Sequence, residues 1–321
     1  MGGIRPYEPG DAAQVVALHE RSMLHGAAPS PEFSAYLEAF YGKTLFTHPW
    51  VDDELPSLVY EADGDVLGFV AVVPRPAVFE GRPVRVATSV RFMVDHADSR
   101  AGMAAAALHM RFVRGPQDVS VVENSNALSR RVWEGTPGTV VLPTTSVSWT
   151  LDAPTVSTTD GWGTRPADDE EMLARVEESA RPYDWQPRYD AGSMSWLMGF
   201  LESAHYRGEL LRRVVVDPRG RVRGWYAVYA NPAGYNGVLA LRAAAGAAGP
   251  VLAHLVTDLR EAGGSPRTVG RLQPELMSAL EALGATVSLG PWALAHSRDP
   301  RLTTALTGNG AYVTRLEGEF C

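Results

Sequence analysis

Two kinds of hydrophobic spacing alternate along the chain, and together they predict a mixed α/β protein. Apolar residues three or four positions apart, as at Met172 and Val176, are typical of amphipathic helices packed on a core. Short apolar runs bounded by Gly, Asp or Pro, such as Val66–Val73, are typical of strands. The predicted order of elements is β-α-α-β-β-β-α-β-α-β-β, and it occurs twice.

The start of each copy carries the same local signals. A short predicted strand ends in an Arg-Pro pair and is followed by an acidic residue: Arg5-Pro6 with Asp11, and Arg165-Pro166 with Asp168. A Gln or Glu follows three positions after each acidic residue, which is the spacing of a capping box at a helix start. We therefore interpret the chain as an internal duplication.

The later elements keep the same register in both copies. Val66-Leu-Gly68 in one predicted hairpin matches Val222-Arg-Gly224 in the other. The duplication predicts a first domain at 1–150, a linker at 151–161 rich in Pro, Ser and Thr, and a second domain at 162–297. Residues 298–321 form an extension, with a helical turn and a strand at Ala311–Leu316. The predicted pairs of elements are the helical stretches 30–49 and 191–206, the strands Leu58–Tyr60 and Val214–Val216, Val66–Val73 and Val222–Tyr229, Val86–Val94 and Val238–Leu241, the helices 102–114 and 250–262, and the strands Val119–Glu123 and Thr268–Leu272.

Composition excludes several classes of protein. With 45% hydrophobic and 21% charged residues, the 321-residue chain has the balance of a soluble globular protein. A formal charge of −8 argues against nucleic acid as a partner. There is neither a secretory signal nor an apolar run near the ~20 residues that span a membrane, so we expect a cytoplasmic protein. Cys321 is the only cysteine, and no histidine pair has metal-ligand spacing, so we expect no disulfide and no metal.

This duplicated order of elements resembles the GCN5-related N-acyltransferase (GNAT) superfamily. The resemblance implies two tandem domains, each a mixed, mostly antiparallel sheet flanked by helices. It also implies that the third strand and the next strand separate and admit the pantetheine arm of acyl-CoA. The pyrophosphate would lie on the loop that opens the following helix, where free amides attract an anion.

The first copy carries the better match to the CoA loop of that superfamily, Gln/Arg-x-x-Gly-x-Gly/Ala. It reads Ser99-Arg100-Ala101-Gly102-Met103-Ala104, whereas the second copy, Gly246–Pro250, has no basic residue in the loop. We therefore expect acyl-CoA in the first domain, although an ordinary helix start is the alternative. The resemblance implies these cofactor-binding residues: Phe92, Met93, Val94, Ser99, Arg100, Ala101, Gly102, Met103, Ala104, Asn126 and Trp133.

The third strand and the tyrosine position each qualify this set of residues. Strand alternation places Val90, Phe92 and Val94 on one face of the third strand and Met93 on the other. The tyrosine that protonates the departing thiolate in many GNAT proteins is replaced by Trp133 in the first copy and by Leu280 in the second. Asn126 has a structural alternative, as the cap of the helix that follows it.

Acyl transfer to an amine needs a group that accepts the amine proton. The candidates in the first domain are Asp95, His96 and Glu123, because they lie where predicted strands end beside the expected crevice. His205 is a candidate in the second domain if the two domains share one cleft. A surface or capping role is the alternative for each.

Aromatic and charged residues are concentrated at the start of the second domain. Such a mixture can hold a large polar acceptor by stacking and forked hydrogen bonds, and core packing with a solvated rim is the alternative. The expected acceptor-binding residues are Trp162, Tyr183, Trp185, Arg188, Tyr189 and Trp196.

Together these patterns predict an acyl-CoA-dependent N-acyltransferase acting on an amine of a small or medium natural product, as a monomer or homodimer. The length and tandem layout resemble the enzymes that acylate the aminosugar of teicoplanin-type glycopeptide antibiotics. Two alternatives remain: an acetyl-CoA-dependent acetyltransferase of a small amine or a protein, and a pseudoenzyme that binds acyl-CoA without transfer.

Overall fold

The computed structural model describes residues 2–24, 27–308 and 310–316, which form two β-sheets flanked by helices. This confirms the predicted fold class of two mixed sheets flanked by helices, while Cys321 lies outside the described residues. The strands are β1 (Gly3–Pro6), β2 (Leu58–Ala62), β3 (Asp65–Phe79), β4 (Arg82–Val94), β5 (Val119–Ser125), β6 (Thr139–Val141), β7 (Val147–Asp152), β8 (Gly163–Pro166), β9 (Trp185–Pro187), β10 (Glu209–Val216), β11 (Val222–Ala230), β12 (Asn236–Ala243), β13 (Arg267–Arg271), β14 (Thr286–Leu289) and β15 (Trp292–Ser297). The helices are α1 (Ala12–Met23), α2 (Pro31–Ala39), α3 (Leu45–Thr47), α4 (Ala101–Val113), α5 (Ala127–Glu134), α6 (Asp169–Ala180), α7 (Ala191–Ser203), α8 (Ala248–Glu261), α9 (Met277–Ala282) and α10 (Pro300–Thr307).

Both sheets are mostly antiparallel, as predicted. The first has the order β1-β2-β3-β4-β5-β15-β6, with β9 beside the outer end of β3. The second has the order β14-β7-β13-β12-β11-β10-β8. The parallel neighbours in the described chain are β4 with β5 and β12 with β13. Because an equivalent pair occurs in each sheet, the two halves offer two equivalent places where strands can separate.

Strand pairing crosses the predicted domain boundaries. The strand β7, placed by sequence at the end of the first unit and the start of the linker, lies between β13 and β14 in the second sheet. Conversely, β15 lies between β5 and β6 in the first sheet. Trp149 of β7 explains part of this exchange, because its fully buried ring lies against Gly270, where a Cβ would approach it to 2.4 Å. Its indole N–H also donates to the Arg271 carbonyl at 2.9 Å.

The matched glycines Gly68 and Gly224 have the same packing role in the two halves. A Cβ on Gly68 would lie 2.8 Å from Leu108 of α4, and one on Gly224 would lie 2.4 Å from Val251 of α8. Each glycine therefore lets a helix pack closely on its sheet. This close approach gives the repeated Gly in the sequence a physical reason.

Both helix starts differ from the predicted capping boxes. Asp168 accepts from the Glu171 amide at 2.8 Å, as expected of a cap, and Glu171 pairs with Arg165 at 2.5 Å. In the first copy Asp11 instead pairs with Arg5 at 2.7 and 2.8 Å. Gln14 accepts from the Val66 amide at 2.9 Å, so it tethers the hairpin and does not cap the helix.

The C-terminal extension packs between the two halves. Residues 311–316 do not form the predicted strand; instead Ala311 makes one parallel bridge with Trp185. Leu316 is fully buried in a core shared by α1 and α2 of the first half and α6 and α7 of the second. The interface between halves is therefore a continuous hydrophobic core.

Candidate functional site

The first sheet opens beside a bulge in β4. The parallel pairing of β4 with β5 runs from Val86–Val119 to Ser89–Val122, and beyond this point the two strands are no longer paired. A register shift against β3 leaves Val90 as the extra residue. From outside the sheet, the Ser22 hydroxyl donates to the Val94 carbonyl at 3.0 Å. Beyond Ser89 this edge of β4 faces the opening and is no longer paired with β5.

The second sheet opens at the equivalent place, but the chain itself enters that opening. The strands β12 and β13 pair only at Asn236–Thr268 and Gly237–Val269, and Leu239 is the extra residue of the bulge. The opening forms a cavity of about 370 Å³, with the C-terminal segment as one wall. The Arg315 amide donates to the Leu239 carbonyl at 3.1 Å. A ligand running along β12 therefore meets a strand edge already used by the C-terminal segment.

The predicted CoA loop lies at the start of α4, and carboxylates of the chain already contact it. Arg100 forms ion pairs with Asp98 at 2.8 Å and with Asp63 at 2.6 Å. Its amide donates to the Asp98 side chain at 2.7 Å, and hydrogen bonds from Arg100 lower the pKa of Asp98 to about 2. Gly102 and Met103 are exposed in the first turn of α4, whereas Ala101 and Ala104 are buried. Ser99 is exposed.

The remaining predicted cofactor residues are divided between the opening and the core. Phe92 and Val94 pack toward α4, and Met93 packs on the opposite face, as alternation predicts. Val90 departs from the prediction: the bulge turns it to the same face as Met93. Asn126 caps α5 by accepting from the Ser129 amide at 2.9 Å.

Trp133 lies in the core and not at the opening. It is 4% exposed, and its ring centroid is 5.2 Å from that of His109 and 6.0 Å from that of Phe112. The side chain that stands at the tyrosine position of the GNAT pattern therefore packs α5 against α4.

Among the candidate proton acceptors, Glu123 has the environment most unlike a surface residue. It is the first β5 residue beyond the paired stretch, it is 5% exposed, and its Oε1 accepts from Arg75 at 2.6 Å. Its other oxygen, Oε2, is buried and has no hydrogen-bond partner among residues 2–24, 27–308 and 310–316. A buried carboxylate oxygen without a partner is costly in a folded protein and is an acceptor ready for a donor.

The other three candidates are solvated or bound by neighbours. Asp95 pairs with Arg21 at 2.9 Å and accepts from the Ala97 amide at 3.1 Å. His96 is exposed in the turn after β4, and His205 is exposed at the start of the short helical turn after α7.

A small cavity of about 60 Å³ lies beside Glu123, on the face of the first sheet that meets the second half. It is lined by parts of the chain far apart in sequence, including Arg75, Trp185, Tyr312 and Thr314. A space of this size holds a water molecule or a small polar group. Sequence reasoning missed Arg75, because it belongs to the outer part of β3, which was not predicted as strand.

The predicted acceptor-binding aromatics are mostly part of the shared core. Trp196 stacks on Phe200 at 5.3 Å and contacts Trp50 of the first half at 5.8 Å. Trp185 and Tyr189 are likewise packed between the halves, and Trp162 packs on the core of the second half. Tyr183 lines the 370 Å³ cavity, and Arg188 is exposed beside a groove of about 600 Å³ along β3 and β4.

Two further findings concern the described residues. None of their helices is both long and apolar enough to cross a membrane. In the same ranges, no three His, Cys, Asp or Glu side chains come together as a metal site would require.

Comparison with known proteins gives a similarity of fold. No protein-family model matches the chain, and no curated protein matches it in sequence. A GCN5-related N-acetyltransferase from Kribbella flavida is similar in structure, with a TM-score of 0.57 at 12% identity, over 92% of this chain and 70% of that one. Yeast (Saccharomyces cerevisiae) N-myristoyltransferase with bound myristoyl-CoA gives a TM-score of 0.54 at 8% identity, over 92% and 79%.

A third similar structure is the glucosamine N-acetyltransferase region of a fungal multi-domain β-N-acetylglucosaminidase. It gives a TM-score of 0.60 at 13% identity, over 92% of this chain and 38% of that one. At these identities the comparisons establish that the chain has the GNAT fold.

Proposed function

We propose that the protein is an acyl-CoA-dependent N-acyltransferase whose acyl-CoA lies in the opening between β4 and β5. The observation that carries the proposal is the position of Glu123. Its buried, unpartnered Oε2 lies one residue past the point where β4 and β5 separate, among the described residues. The similar N-acetyltransferases and the myristoyl-CoA-bound transferase support the use of acyl-CoA.

In the proposed reaction, an acceptor ammonium gives one proton to Glu123 Oε2, and the neutral nitrogen attacks the thioester carbonyl. A backbone N–H within Phe92–Val94 donates to the oxyanion that forms. The C–S bond then breaks, an amide is formed, and the second amine proton leaves. The CoA thiolate takes up one proton, so the overall reaction releases one.

The first half is favoured for acyl-CoA because in the second half the C-terminal segment already bonds to the separated strand. Pantetheine needs main-chain partners along the separated strand, and in the second half the Arg315 amide already donates to Leu239. The ion pairs of Arg100 with Asp63 and Asp98 oppose this assignment, since a pyrophosphate there has to compete with two carboxylates. The two openings are therefore tested against each other.

Gly102 and Gly249 make a matched pair for that test. Each is the second residue of its helix, α4 or α8, and a Cβ on either would meet nothing within 4 Å. Glutamate in a first helical turn is favourable for the helix, so both Gly102→Glu and Gly249→Glu should fold. We expect Gly102→Glu to raise the calorimetric Kd for CoA by about tenfold or more through repulsion of the pyrophosphate, with Gly249→Glu unchanged.

Two other results would change the proposal. The reverse pattern would move acyl-CoA to the second half. Wild-type protein that neither binds CoA nor releases its thiol from acyl-CoA with any amine would contradict the proposed function.

For the acceptor, we propose an amine of a small or medium natural product. The glucosamine N-acetyltransferase region with the same fold supports an aminosugar, of which that of a teicoplanin-type glycopeptide is the specific case suggested by sequence. Mass spectrometry of an amine panel with acetyl-CoA and with long-chain acyl-CoA tests the acceptor and the acyl length separately.

A non-catalytic acyl-CoA-binding protein is a second candidate, favoured by the placement of Trp133 in the core. Without a tyrosine there, the usual proton donor to the thiolate is missing from the first half. Binding of CoA without thiol release across the amine panel would favour this candidate.

A further inference from the structure

The buried pair of Arg75 and Glu123 has hydrogen-bonding groups that the pair itself does not use. Arg75 donates through Nη1 to Glu123 Oε1 at 2.6 Å. Its Nε and Nη2, which share one edge of the planar guanidinium, are buried and have no hydrogen-bond partner in residues 2–24, 27–308 and 310–316. In the same ranges, Glu123 Oε2 and the hydroxyl of Thr88 also have none. Buried polar groups of this kind are costly unless a ligand or water completes them.

Strand pairing places these three side chains on one face of the first sheet. Arg75 of β3 is paired with Val86 of β4, and Thr88 of β4 is paired with Val121 of β5. Because residues two positions apart share a face, Arg75, Thr88 and Glu123 all lie on the face that meets the second half. Arg75 and Glu123 therefore meet across β4, the strand that carries Thr88.

The pair lies where a small cavity adjoins a larger groove. The cavity of about 60 Å³ beside Glu123 and the groove of about 600 Å³ along β3 and β4 are both lined by Arg75, Pro76, Ala77 and Val86. The groove has the size of a small-molecule site, whereas the cavity holds only one small polar group. A molecule whose body lies in the groove can therefore present one polar end to the pair.

The groups left over define the chemistry of that polar end. The charge of Arg75 is already matched by Glu123, so the pair still offers hydrogen bonds: two N–H donors on Arg75 and one acceptor on Glu123. An ammonium can donate to Glu123 Oε2, and a neutral oxygen can accept from the edge of Arg75. Because the two side chains are in contact and the cavity is small, this nitrogen and this oxygen must be close neighbours, as they are in a 1,2-amino alcohol.

We infer that Arg75 selects acceptors that carry a neutral oxygen on the carbon beside the amine-bearing carbon, the class of 1,2-amino alcohols to which amino sugars belong. The amine faces Glu123 Oε2, the neighbouring oxygen accepts from Nε and Nη2 of Arg75, and the rest of the acceptor lies in the groove. This inference rests on the proposed function, and it adds a substrate class and the residue that determines it.

Three amines built on the same ring test the inference: trans-2-aminocyclohexanol, trans-4-aminocyclohexanol and cyclohexylamine. Thiol release from acyl-CoA is measured at pH 7, where all three amines are protonated. We expect a KM about tenfold lower for the 2-isomer than for the other two, since one hydrogen bond is added. The 4-isomer controls for the polarity of a hydroxyl, because its oxygen is on the opposite side of the ring. Equal KM values for the three amines would contradict the inference.

A lysine variant tests the role of Arg75 while keeping its charge. Arg75→Lys retains a cation beside Glu123 but removes the planar edge, so the KM preference should be lost with kcat little changed. Arg85→Lys is the matched control, because Arg85 also pairs with a carboxylate in the same hairpin, that of Asp52 at 2.6 Å, and does not line the cavity beside Glu123. It should keep the preference. Arg75→Gln is a second variant without the edge, and a preference that survives in both Arg75 variants would overturn the inference.

A binding measurement separates this inference from the proposed function. The 2-isomer and cyclohexylamine are titrated calorimetrically, without acyl-CoA, into the wild type and Arg75→Lys. Tighter binding of the amino alcohol by the wild type, lost in the variant, supports the inference even if no amine is acylated. Acyl transfer with equal KM values, together with no tighter binding of the amino alcohol, would overturn the inference and leave the transferase proposal intact.

Discussion

The ion pair of Glu123 with Arg75 allows a structural role to be separated from a chemical one. Both side chains are largely buried, at 5% and 12% exposed, and their closest atoms are 2.6 Å apart. Removing one partner of a buried pair leaves the other charge uncompensated, which typically costs about 3–5 kcal/mol. Glutamine at position 123 still offers an oxygen to Arg75, so we expect Glu123→Gln to cost about 2–3 kcal/mol.

The measurement is a double-mutant cycle with two readouts. Free energies of unfolding come from urea titrations of Glu123→Gln, Arg75→Gln and the double variant, and kcat comes from thiol release. We expect the double variant to be destabilised by less than the sum of the single variants, because no lone buried charge remains. Activity should behave differently, with kcat about 10²–10⁴-fold lower in both variants that lack the carboxylate, as loss of a general base predicts. Arg75→Gln alone should keep most of its activity.

If Glu123 is the proton acceptor, the free energy of unfolding and kcat have to respond differently to the double substitution. If the double variant regains kcat together with stability, Glu123 acts only by neutralising Arg75. The proton acceptor would then have to be sought among Asp95, His96 and His205. Loss of the carboxylate without any fall in kcat would have the same consequence.

Two further predictions concern stability. Gly224→Ala should lower the free energy of unfolding by about 1–3 kcal/mol, and by more than Gly68→Ala does. The Cβ at position 224 would lie 2.7 Å from the Arg242 carbonyl as well as against Val251, whereas at Gly68 the closest atom is the end of the Leu108 side chain. Equal effects of the two substitutions in urea unfolding would contradict the packing argument. Burial lowers the pKa of three histidines to about 4, whereas in the unfolded chain the same histidines have a pKa of about 6.5. As the pH falls from 6.5 to 4 the unfolded chain therefore binds more protons than the folded protein, and each histidine should lower the free energy of unfolding by up to about 1.4 kcal/mol per pH unit. Unchanged urea midpoints at pH 7 and pH 5 would contradict this. These histidines are His19, His48 and His109.

The duplication was predictable because its signals are local. The Arg-Pro pairs, the cap at Asp168 and the glycines Gly68 and Gly224 each act within one turn, one helix start or one helix–sheet contact. The exchange of β7 and β15 left no such signal. A strand of alternating apolar residues has the same pattern whichever sheet it joins, and the partner is chosen by distant contacts such as that of Trp149 with Gly270.

The candidate site was predictable in part for the same reason. Glu123 could be selected from its place at a strand end, whereas its partner Arg75 lies between two prolines that suggest a loop. The cavity of about 370 Å³ in the second sheet joins β12, β13 and the C-terminal segment, and only the folded chain brings these together. Asn126 and Trp133 occupy the positions that the superfamily pattern suggests, but the structure gives each of them a cap or core contact.

The exchanged strands make a definite prediction about the separated halves. A fragment of residues 1–150 lacks β15, whose Ala293, Leu294 and Ala295 are fully buried between β5 and β6. It also exposes Trp149, and losing the burial of a tryptophan costs about 3–5 kcal/mol. Since a whole domain is stable by only about 5–15 kcal/mol, we expect this fragment to show no cooperative unfolding and no CoA binding.

Cleavage within the linker is the matched control for that fragment. A protease site introduced at 155–160, between β7 and β8, leaves β7 on the N-terminal piece and β15 on the C-terminal piece. Each sheet then keeps every strand for as long as the two pieces stay together. The cleaved protein should copurify as one particle and unfold cooperatively, because pairing in the two sheets and the shared core hold the pieces together. A fragment of residues 1–150 that unfolds cooperatively and binds CoA like the full chain would show that the exchange contributes little. Dissociation of the cleaved protein would show that the shared core is too weak to join the halves.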